Sequence, residues 1–255
     1  MPSSASNRPS VSANPEIRER QQPSIPILTD EELALEARMT PTYRIIWIVC
    51  RTFVKIYFRV QYLHEDRVPG VGSVILAANH ASFADPTIVG CGIRRAVNYL
   101  ARETLFDIPG VGWVLRNVKS VPVDLDGAGA AGLKGILNRL HKGGAILLFP
   151  EGTRSHTGAF MQARSGIGLT VIRSKAPVIP IGVFGAYEAW NRHLVFPRPY
   201  PITIKYGLPL SFEAKRAEAR SCSKLRLKEI YQEIADELMS AIAKIQPSKD
   251  IERFP

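Results

Sequence analysis

The sequence has few cysteines, no long apolar run and no apolar segment near its first residue. Its three cysteines, Cys50, Cys91 and Cys222, lie far apart and form no Cys-x-x-Cys pair. This spacing argues against a disulfide framework and against a zinc site. No apolar stretch reaches the roughly 18 residues of a membrane-spanning helix, and no apolar core of a cleaved signal peptide is present. We expect a protein of a reducing compartment that is soluble or lies on a membrane.

The charge balance is strongly basic. Lys and Arg number 33 against 23 Asp and Glu, which gives a net charge of +10 over 255 residues. Such an excess favours anionic partners, among them nucleic acid, anionic lipid, phosphorylated substrates and acidic carrier proteins. We expect no nucleic-acid partner, because the basic residues are spread out and match no motif that reads nucleic acid. The share of hydrophobic residues, 45%, is sufficient for a folded core.

Composition divides the chain into four parts. Residues 1–27 are rich in Ser, Pro, Arg and Asn, which predicts a disordered tail. Residues 28–63 predict an N-terminal helical segment that associates with membranes and opens with a short acidic helix, Asp30 to Arg38. Residues 64–246 predict one α/β domain, and residues 247–255 a frayed C-terminus.

Residues 42–63 combine many aromatic and aliphatic side chains with a few cations. The four basic residues compared are Arg44, Arg51, Lys55 and Arg59. At about 100° per residue, they fall within about 80° of one another on a helix. This amphipathic pattern is typical of a helix in a membrane interface, and it also fits a helix docked on the core whose cations reach water. The residues predicted to contact an anionic membrane surface are Arg44, Trp47, Arg51, Phe53, Lys55, Tyr57, Phe58 and Arg59.

From residue 73 onward, short apolar runs alternate with helical periodicity. Amphipathic helices are predicted over residues 130–142 and 223–246. Strands that alternate with helices predict an α/β fold with a central, mostly parallel sheet flanked by helices. The runs typical of buried strands are residues 73–77, 97–101, 118–123, 145–149, 178–183 and 202–206.

A polar cluster follows the first of these runs, where sites of parallel sheets commonly lie. His80 is a candidate general base, and Asp85 is a carboxylate suited to orient its ring and stabilise the imidazolium. Two structural interpretations compete with this one. Asp85 before Pro86 is an ordinary helix start, and His80 also fits a buried, hydrogen-bonded histidine.

A second cluster, residues 150–155, follows the apolar run 145–149. It needs a tight turn at Gly152 and presents the Thr153 hydroxyl and the Arg154 guanidinium, groups suited to bind a phosphate. The competing interpretation is a solvated turn with a surface arginine. The two clusters together predict one site that contains both a base and an anion-binding group.

With these motifs the sequence resembles the 1-acylglycerol-3-phosphate acyltransferase family, part of the glycerolipid acyltransferases. The first family motif, Asn-His-x-x-x-x-Asp, is matched by Asn79, His80 and Asp85. The third motif, Phe-Pro-Glu-Gly-Thr-Arg-Ser, is matched in full by residues 149–155, and residues 178–181 are similar to the fourth. The order and spacing of the motifs agree with the family.

Two segments that concern the acceptor fit the family less closely. Residues 160–166 are similar to a family segment, Phe-x-x-Lys-x-Gly, and place Arg164 near the usual cation. The second family motif usually ends in an arginine thought to help hold the acceptor phosphate, but Leu125 stands there in this sequence. The resemblance therefore implies either a different acceptor or phosphate binding by Arg154, Arg164 and Lys119 alone.

The resemblance implies transfer of a fatty acyl group from a thioester donor, acyl-CoA or acyl carrier protein, to the free hydroxyl of a lysophospholipid. The most direct acceptor is 1-acylglycerol-3-phosphate, which would give phosphatidic acid in phospholipid biosynthesis. The resemblance implies no metal and no cofactor besides the thioester co-substrate. It places the protein on the cytoplasmic face of the inner or plasma membrane, as a peripheral or monotopic protein that meets its lipid acceptor there.

His80 and Asp85 are the implied catalytic pair, with an oxyanion bound by backbone N–H groups of residues 79–82 or Gly152. Direct transfer fits the sequence, because it contains no Gly-x-Ser-x-Gly motif and no cysteine within a family motif. Lyso-ornithine lipid as acceptor, a thioester hydrolase and a non-catalytic membrane scaffold stay open as alternatives. The residues implied in substrate binding are Asn79, Ser82, Lys119, Glu151, Gly152, Thr153, Arg154 and Arg164.

Overall fold

The structure is a computed structural model that describes residues 28–123 and 130–247. The predicted tail, the residue Leu125 and nearly all of the predicted frayed C-terminus lie outside these ranges. The described strands are β1 Gln61–Leu63, β2 Val74–Ala78, β3 Val97–Asn98, β4 Leu100–Arg102, β5 Val121–Val123, β6 Ala145–Leu148, β7 Val178–Phe184 and β8 Thr203–Tyr206. The described α-helices are α1 Asp30–Ala37, α2 Pro41–Tyr57, α3 Asp85–Cys91, α4 Val111–Asn117, α5 Ala130–His141, α6 Gly166–Ser174, α7 Ala186–Trp190, α8 Glu213–Glu218 and α9 Lys224–Ala243.

Six of the strands form one sheet in the order β1-β8-β7-β2-β6-β3. Strands β7, β2, β6 and β3 are mutually parallel, β8 is antiparallel to β7, and β1 is parallel to β8. Strands β4 and β5 form a separate parallel pair. The prediction of a mostly parallel sheet is confirmed. We call the carboxyl ends of β2, β6 and β7 the catalytic edge of the sheet, and their amino ends the amino edge.

Strand β2 is buried on both faces, as expected of a central parallel strand. The side chains of Val74, Leu76 and Ala78 pack on one face in a cluster that includes residues of α2 and α3. Those of Ile75 and Ala77 pack on the other face with residues of α5, α6 and α9. The helices therefore fix the sheet from both sides and hold the catalytic edge of β2 in place.

Two predicted elements end earlier than the apolar pattern indicates. The helix predicted over residues 42–63 ends at Tyr57, because Arg59 adopts a left-handed conformation with φ of 49° and the chain turns into β1. Strand β1 belongs to the main sheet, so the predicted domain boundary after residue 63 cuts through the α/β domain. The run 97–101 is divided at Tyr99 into β3 and β4, which belong to different sheets. Hydrophobicity alone does not show such a break, since both halves are apolar.

Helix α2 packs on the domain through one face and presents apolar side chains on the other. Tyr43 and Val54 are buried, and the Tyr43 hydroxyl donates to the carbonyl of Val97 over 3.1 Å. In the part of the chain that the structure describes, no helix is long and apolar enough to cross a membrane. We call the exposed apolar side chains Ile45, Ile48, Val49, Phe53 and Ile56 the outer face of α2, and Arg44 and Lys55 are exposed as well.

The predicted cationic stripe of this helix needs correction. Arg51 faces the domain, where it donates to the carbonyl of Cys91 and lies over the rings of Trp47 and Tyr62. Phe58 is buried. The predictions that Arg51 and Phe58 contact a membrane are therefore corrected. The indole of Trp47 donates to the carbonyl of Gly90, so its polar atom also faces the domain. The polar end of a side chain can be buried where a backbone carbonyl accepts its hydrogen bond. Helical periodicity does not show where such carbonyls lie, so it does not predict which cations of the helix face the domain.

Helices α6 and α9 approach closely at Gly168, where a Cβ atom would overlap the backbone carbonyl of Tyr231. Gly168→Ala should therefore lower the free energy of unfolding by about 1–3 kcal/mol, since neither helix backbone can move aside without disturbing the core. The matched control is Gly166→Ala on the same helix, where nothing lies within 4 Å of the added atom. Urea denaturation of both variants measures the difference, and equal midpoints would contradict the close helix contact.

Candidate active site

His80 and Asp85 meet at the catalytic edge, directly after β2. The Nδ1 atom of His80 lies 2.8 Å from Oδ2 of Asp85. An ionised carboxylate there accepts a hydrogen bond from Nδ1–H, which leaves Nε2 of the ring free to accept a proton from a substrate. The His80 side chain is 16% exposed, so its ring is hydrogen-bonded without being closed off from the surface.

Asp85 also organises the loop that carries His80. Its Oδ2 atom accepts hydrogen bonds from the backbone N–H groups of Ala81 and Ser82, each over 2.7 Å. The carboxylate is wholly buried at the start of α3, where the helix dipole favours a negative charge. Thus Asp85 is both a helix start and the partner of the imidazole, so the two interpretations from the sequence are compatible.

The second motif packs against the first. The ring of Phe149 stacks on the His80 imidazole, with the centroids 3.9 Å apart and the planes 16° from parallel. The backbone N–H of His80 donates to Oε2 of Glu151 over 3.3 Å, and its carbonyl accepts from the N–H of Ser155 over 2.7 Å. The two clusters that the sequence places at neighbouring strand ends therefore form one site.

Glu151 is almost completely buried in this contact. Burial raises its pKa from the ordinary value to about 7, although hydrogen bonds from the backbone of Met161 and His80 oppose the shift. The position of Glu151 beneath the loop shows that it holds the His80 backbone against the second motif. Its prediction as a substrate-binding residue is corrected to a positioning role.

Arg154 reaches back over the first motif. Its guanidinium lies 3.5 Å from the centroid of the Phe83 ring, which fixes its plane. Its Nη1 atom is buried and has no hydrogen-bond partner among the described residues. Burial lowers the pKa of this guanidinium, and the charge of Arg192 lowers it further, while Asp85 opposes both. Because the Arg154 side chain as a whole is only half-buried, its guanidinium is a candidate donor for an anionic substrate group.

Arg192 is a neighbouring cation that sequence reasoning did not identify. Its Nη2 atom donates to the carbonyl of Arg154 over 3.0 Å, and its Nη1 atom contacts the ring of His156. Because Arg192 follows α7, far along the chain from both motifs, only the fold brings it here. Its carbonyl contact supports the turn that aims Arg154 at the site.

The turn at Gly152 has the conformation that the sequence predicts. Gly152 adopts a φ of 70°, and the Arg164 side chain lies so close that a Cβ atom at Gly152 would come within 2.7 Å of its Cδ. Arg164 and Gly152 are exposed, and Thr153 is half-buried. These three residues therefore lie at the rim of the site beside Arg154, where they are accessible to a ligand.

Two other residues predicted to bind substrate have structural partners instead. Both amide atoms of Asn79 are paired with the backbone of Val183, over 3.0 and 2.8 Å, which ties the end of β2 to β7. The Ser82 hydroxyl donates to the carbonyl of Trp190 over 2.7 Å and is fully buried. Buried polar groups need hydrogen-bond partners, and backbone groups of the fold provide them for Asn79 and Ser82.

Lys119 does not belong to the site. Its ammonium donates to the carbonyl of Glu36 on α1 over 2.7 Å and lies 3.7 Å from the carboxylate of the same residue. Burial lowers the pKa of Lys119. The residue precedes β5 at its amino end, whereas the two motifs lie at the carboxyl ends of their strands. The prediction that Lys119 binds the acceptor phosphate is therefore wrong.

The backbone donors predicted to bind an oxyanion are also occupied. The N–H groups of His80, Ala81 and Ser82 donate to the carboxylates of Glu151 and Asp85. The N–H of Gly152 donates to the carbonyl of Phe149 over 3.0 Å. The site thus combines a carboxylate-oriented imidazole with an unsatisfied guanidinium, an arrangement suited to deprotonate a hydroxyl on an anionic molecule.

Comparison with known proteins identifies the same region. Residues 59–184 match the family model described as Acyltransferase. This range contains β2, β6 and β7 together with both motifs, and it ends before Arg192.

Curated relatives cover part of the chain. A 1-acyl-sn-glycerol-3-phosphate acyltransferase of Cocos nucifera is 28% identical over 139 residues, which are 53% of this chain and 45% of the relative. A protein of the same name from Bacillus subtilis is 26% identical over 127 residues, 49% of this chain and 63% of the relative. The chain therefore spans about half to two thirds of the length of these relatives.

A solved structure has the same fold. The crystal structure of the 1-acyl-sn-glycerophosphate acyltransferase PlsC of Thermotoga maritima matches with a TM-score of 0.60 and 21% identity. The match covers 80% of this chain and 82% of that one. Together with the match of residues 59–184, the curated relatives confirm the resemblance that the motifs predict, and this region of the chain belongs to the acyltransferase family.

Proposed function

We propose that this protein is an O-acyltransferase of membrane lipid synthesis. It transfers a fatty acyl group from acyl-CoA or acyl carrier protein to the free hydroxyl of a lysophospholipid, with 1-acylglycerol-3-phosphate as the favoured acceptor and phosphatidic acid as product. The observation that carries the proposal is the His80–Asp85 pair at 2.8 Å beside the unsatisfied guanidinium of Arg154. The names of the curated relatives support the same acceptor.

In the proposed mechanism, Nε2 of His80 takes the proton of the acceptor hydroxyl as the oxygen attacks the thioester carbonyl. The C–O ester bond forms, the C–S bond breaks, and the imidazolium returns its proton to the departing thiolate. Asp85 stabilises the imidazolium while it carries that proton. The backbone N–H groups of Thr153 and Arg154 have no acceptor among the described residues, so they are the available donors for the oxyanion.

Arg154 is the proposed ligand of the acceptor phosphate. A guanidinium presents paired N–H donors in the geometry of a phosphate, and its stacking on Phe83 holds that geometry before substrate arrives. Arg164 lies at the rim of the same turn, where it adds positive charge. Without Lys119 in the site, the phosphate depends on these two arginines rather than on the second family motif.

The outer face of α2 is the proposed membrane contact. Ile45 and Ile56, near its two ends, are 63% and 74% exposed, a larger apolar exposure than water favours. Arg44, Lys55 and Arg59 are exposed along the same segment and are suited to anionic headgroups. This arrangement favours a monotopic protein on the cytoplasmic face of the inner or plasma membrane, where its thioester donors are found.

Apolar surface continues from α2 toward the catalytic edge. The Tyr57 hydroxyl donates to the carbonyl of Pro197 over 2.9 Å, which joins the end of α2 to the loop after α7. In that loop, Val195 is 81% exposed and Phe196 is 78% exposed. Ser82, in the loop of His80, is bonded to Trp190 at the end of α7. A lipid acceptor in the bilayer thus lies near the imidazole without leaving the membrane.

His80→Ala should lower acyl transfer by about 100- to 10,000-fold, because no other group at the site accepts the hydroxyl proton. Asp85→Asn should lower transfer by a similar factor, since an amide stabilises the imidazolium poorly. His141→Ala at the amino edge is the control. The rate is measured from the lipid product by mass spectrometry, with circular dichroism to verify folding. Retained turnover in His80→Ala would exclude the base, and thioester cleavage without an acceptor would favour a hydrolase.

Arg154→Ala should raise the KM for 1-acylglycerol-3-phosphate about tenfold or more, because a charge-assisted hydrogen bond to the phosphate is lost. The KM for the thioester donor serves as the internal control and should change little. Arg154→Lys should recover part of the loss, since it keeps the charge without the paired donors. Steady-state kinetics in mixed micelles measure both constants, and equal increases for donor and acceptor would argue against a phosphate ligand.

The double variant Ile48→Asp/Ile56→Asp should release the protein from anionic vesicles, because each carboxylate would have to enter the apolar part of the interface. Leu208→Asp/Leu225→Asp is the matched control, since these leucines are similarly exposed but lie outside α2. Co-sedimentation with vesicles that contain phosphatidylglycerol measures the bound fraction. If both double variants bind as well as the wild type, α2 is not the membrane contact.

A further inference from the structure

A cavity of about 680 Å³ lies at the N-terminal end of α2, outside the site described above. Arg38, Arg44 and Arg94 line it together with Met39 and Trp47. We call it the arginine cavity.

The arginine cavity lies at the amino edge of the sheet. The N–H of Ala96 donates to the carbonyl of Ala37 over 2.8 Å, and Val97 then pairs with Ala145 at the start of β6. Ala145 in turn pairs with Val74 at the start of β2. His80 follows the other end of β2, so the length of that strand, roughly 17 Å, separates the cavity from the imidazole. The arginine cavity is therefore not part of the catalytic site.

The three arginines of the cavity are exposed, and the structure gives none of their guanidinium groups a hydrogen bond or ion pair among residues 28–123 and 130–247. Other arginines of the same region differ from them. Arg51 and Arg95 donate to backbone carbonyls, for example to Gly143 from Arg95 over 2.8 Å.

The nearby carboxylate of Glu36 does not neutralise the positive charge of the three arginines. It is already paired with Lys119 and Arg139, each over 3.7 Å. Helix α2, moreover, begins at Pro41 and points its positive dipole end toward the cavity. Three unpaired guanidinium groups and a helix N-terminus thus line a space to which the described residues contribute no acidic side chain, which favours an anion there.

The lining also has an apolar part that a free anion does not need. The ring of Trp47 is held by its indole donation to the carbonyl of Gly90 over 3.3 Å, and Met39 is half-buried beside it. Arg44 immediately precedes Ile45, the first residue of the outer face of α2, and Ile48 follows one turn later. The mouth of the cavity thus borders the surface proposed to enter the bilayer. A ligand with a phosphate and an acyl chain satisfies both parts.

We propose that the arginine cavity binds the phosphate-bearing headgroup of an anionic membrane phospholipid, as a second lipid site distinct from the catalytic site. The proposal rests on the proposed membrane contact of α2. A helix of 17 residues is about 25 Å long, so α2 joins the cavity at one edge of the sheet to the loop of Pro197 at the other. A headgroup held at the first end fixes the rotation of α2 on the membrane and orients the catalytic edge toward lipid acceptors.

The test compares Arg38→Gln/Arg44→Gln/Arg94→Gln with the control Arg173→Gln/Arg220→Gln/Lys228→Gln, which removes the same charge from exposed positions outside the cavity. Calorimetry uses dihexanoylphosphatidylglycerol below its micelle concentration and, in a second arm, inorganic phosphate. Wild type and control should bind the lipid at a saturable site, and the cavity variant should bind at least about tenfold more weakly.

Equal lipid affinity in the two triple variants would overturn the proposal. Equal affinity of the wild type for inorganic phosphate and the lipid would overturn the assignment to a lipid. If the cavity variant keeps its lipid affinity but loses turnover with acyl carrier protein as donor, the cavity binds an acidic protein instead. Acyl transfer by the wild type in neutral detergent is measured in parallel. Its absence would contradict the proposed function, whereas the calorimetric result would still decide whether the cavity binds lipid.

Discussion

One carboxylate oxygen holds the active site together. Oδ2 of Asp85 accepts hydrogen bonds from Nδ1–H of His80 and from the backbone N–H groups of Ala81 and Ser82, over 2.7 to 2.8 Å. A wholly buried negative charge is costly unless hydrogen bonds and nearby positive charge compensate it. The loop of His80 provides the hydrogen bonds, and Arg154 provides positive charge across the site. The orientation of the base and the burial of its carboxylate partner thus depend on the same hydrogen bonds.

The sequence predicts this pair well because its geometry is local. Five positions separate His80 from Asp85, and a strand end followed by a helix start leaves few ways to place them. Glycine at a left-handed turn is equally local, so the conformation of Gly152 follows from the motif. The parallel sheet also follows from local patterns, since fully apolar runs separated by amphipathic helices leave little choice of fold class.

The failed predictions concern partners that are distant in the chain. Asn79 and Ser82 stand in a catalytic motif, yet Val183 and Trp190 occupy their polar atoms, and nothing in the motif shows it. Lys119 is bound by Glu36, and Arg192 reaches the carbonyl of Arg154 from the end of another helix. A polar residue at a strand end can either bind the substrate or form hydrogen bonds that stabilise the fold. The choice depends on which backbone groups the tertiary structure leaves unsatisfied, which a sequence does not state.

Helix α2 illustrates the same limit for surfaces. Its sequence periodicity correctly predicts an amphipathic helix. A cation on such a helix can lie in water, at lipid headgroups or against buried backbone carbonyls, and Arg51 lies against a carbonyl. As a result, the face that the domain leaves exposed is mainly apolar, with Arg44 and Lys55 exposed beside it. This arrangement suits the membrane contact proposed for α2. The helix that covers one face of the sheet also carries the proposed membrane contact, so binding a membrane through α2 would orient the imidazole in the same step.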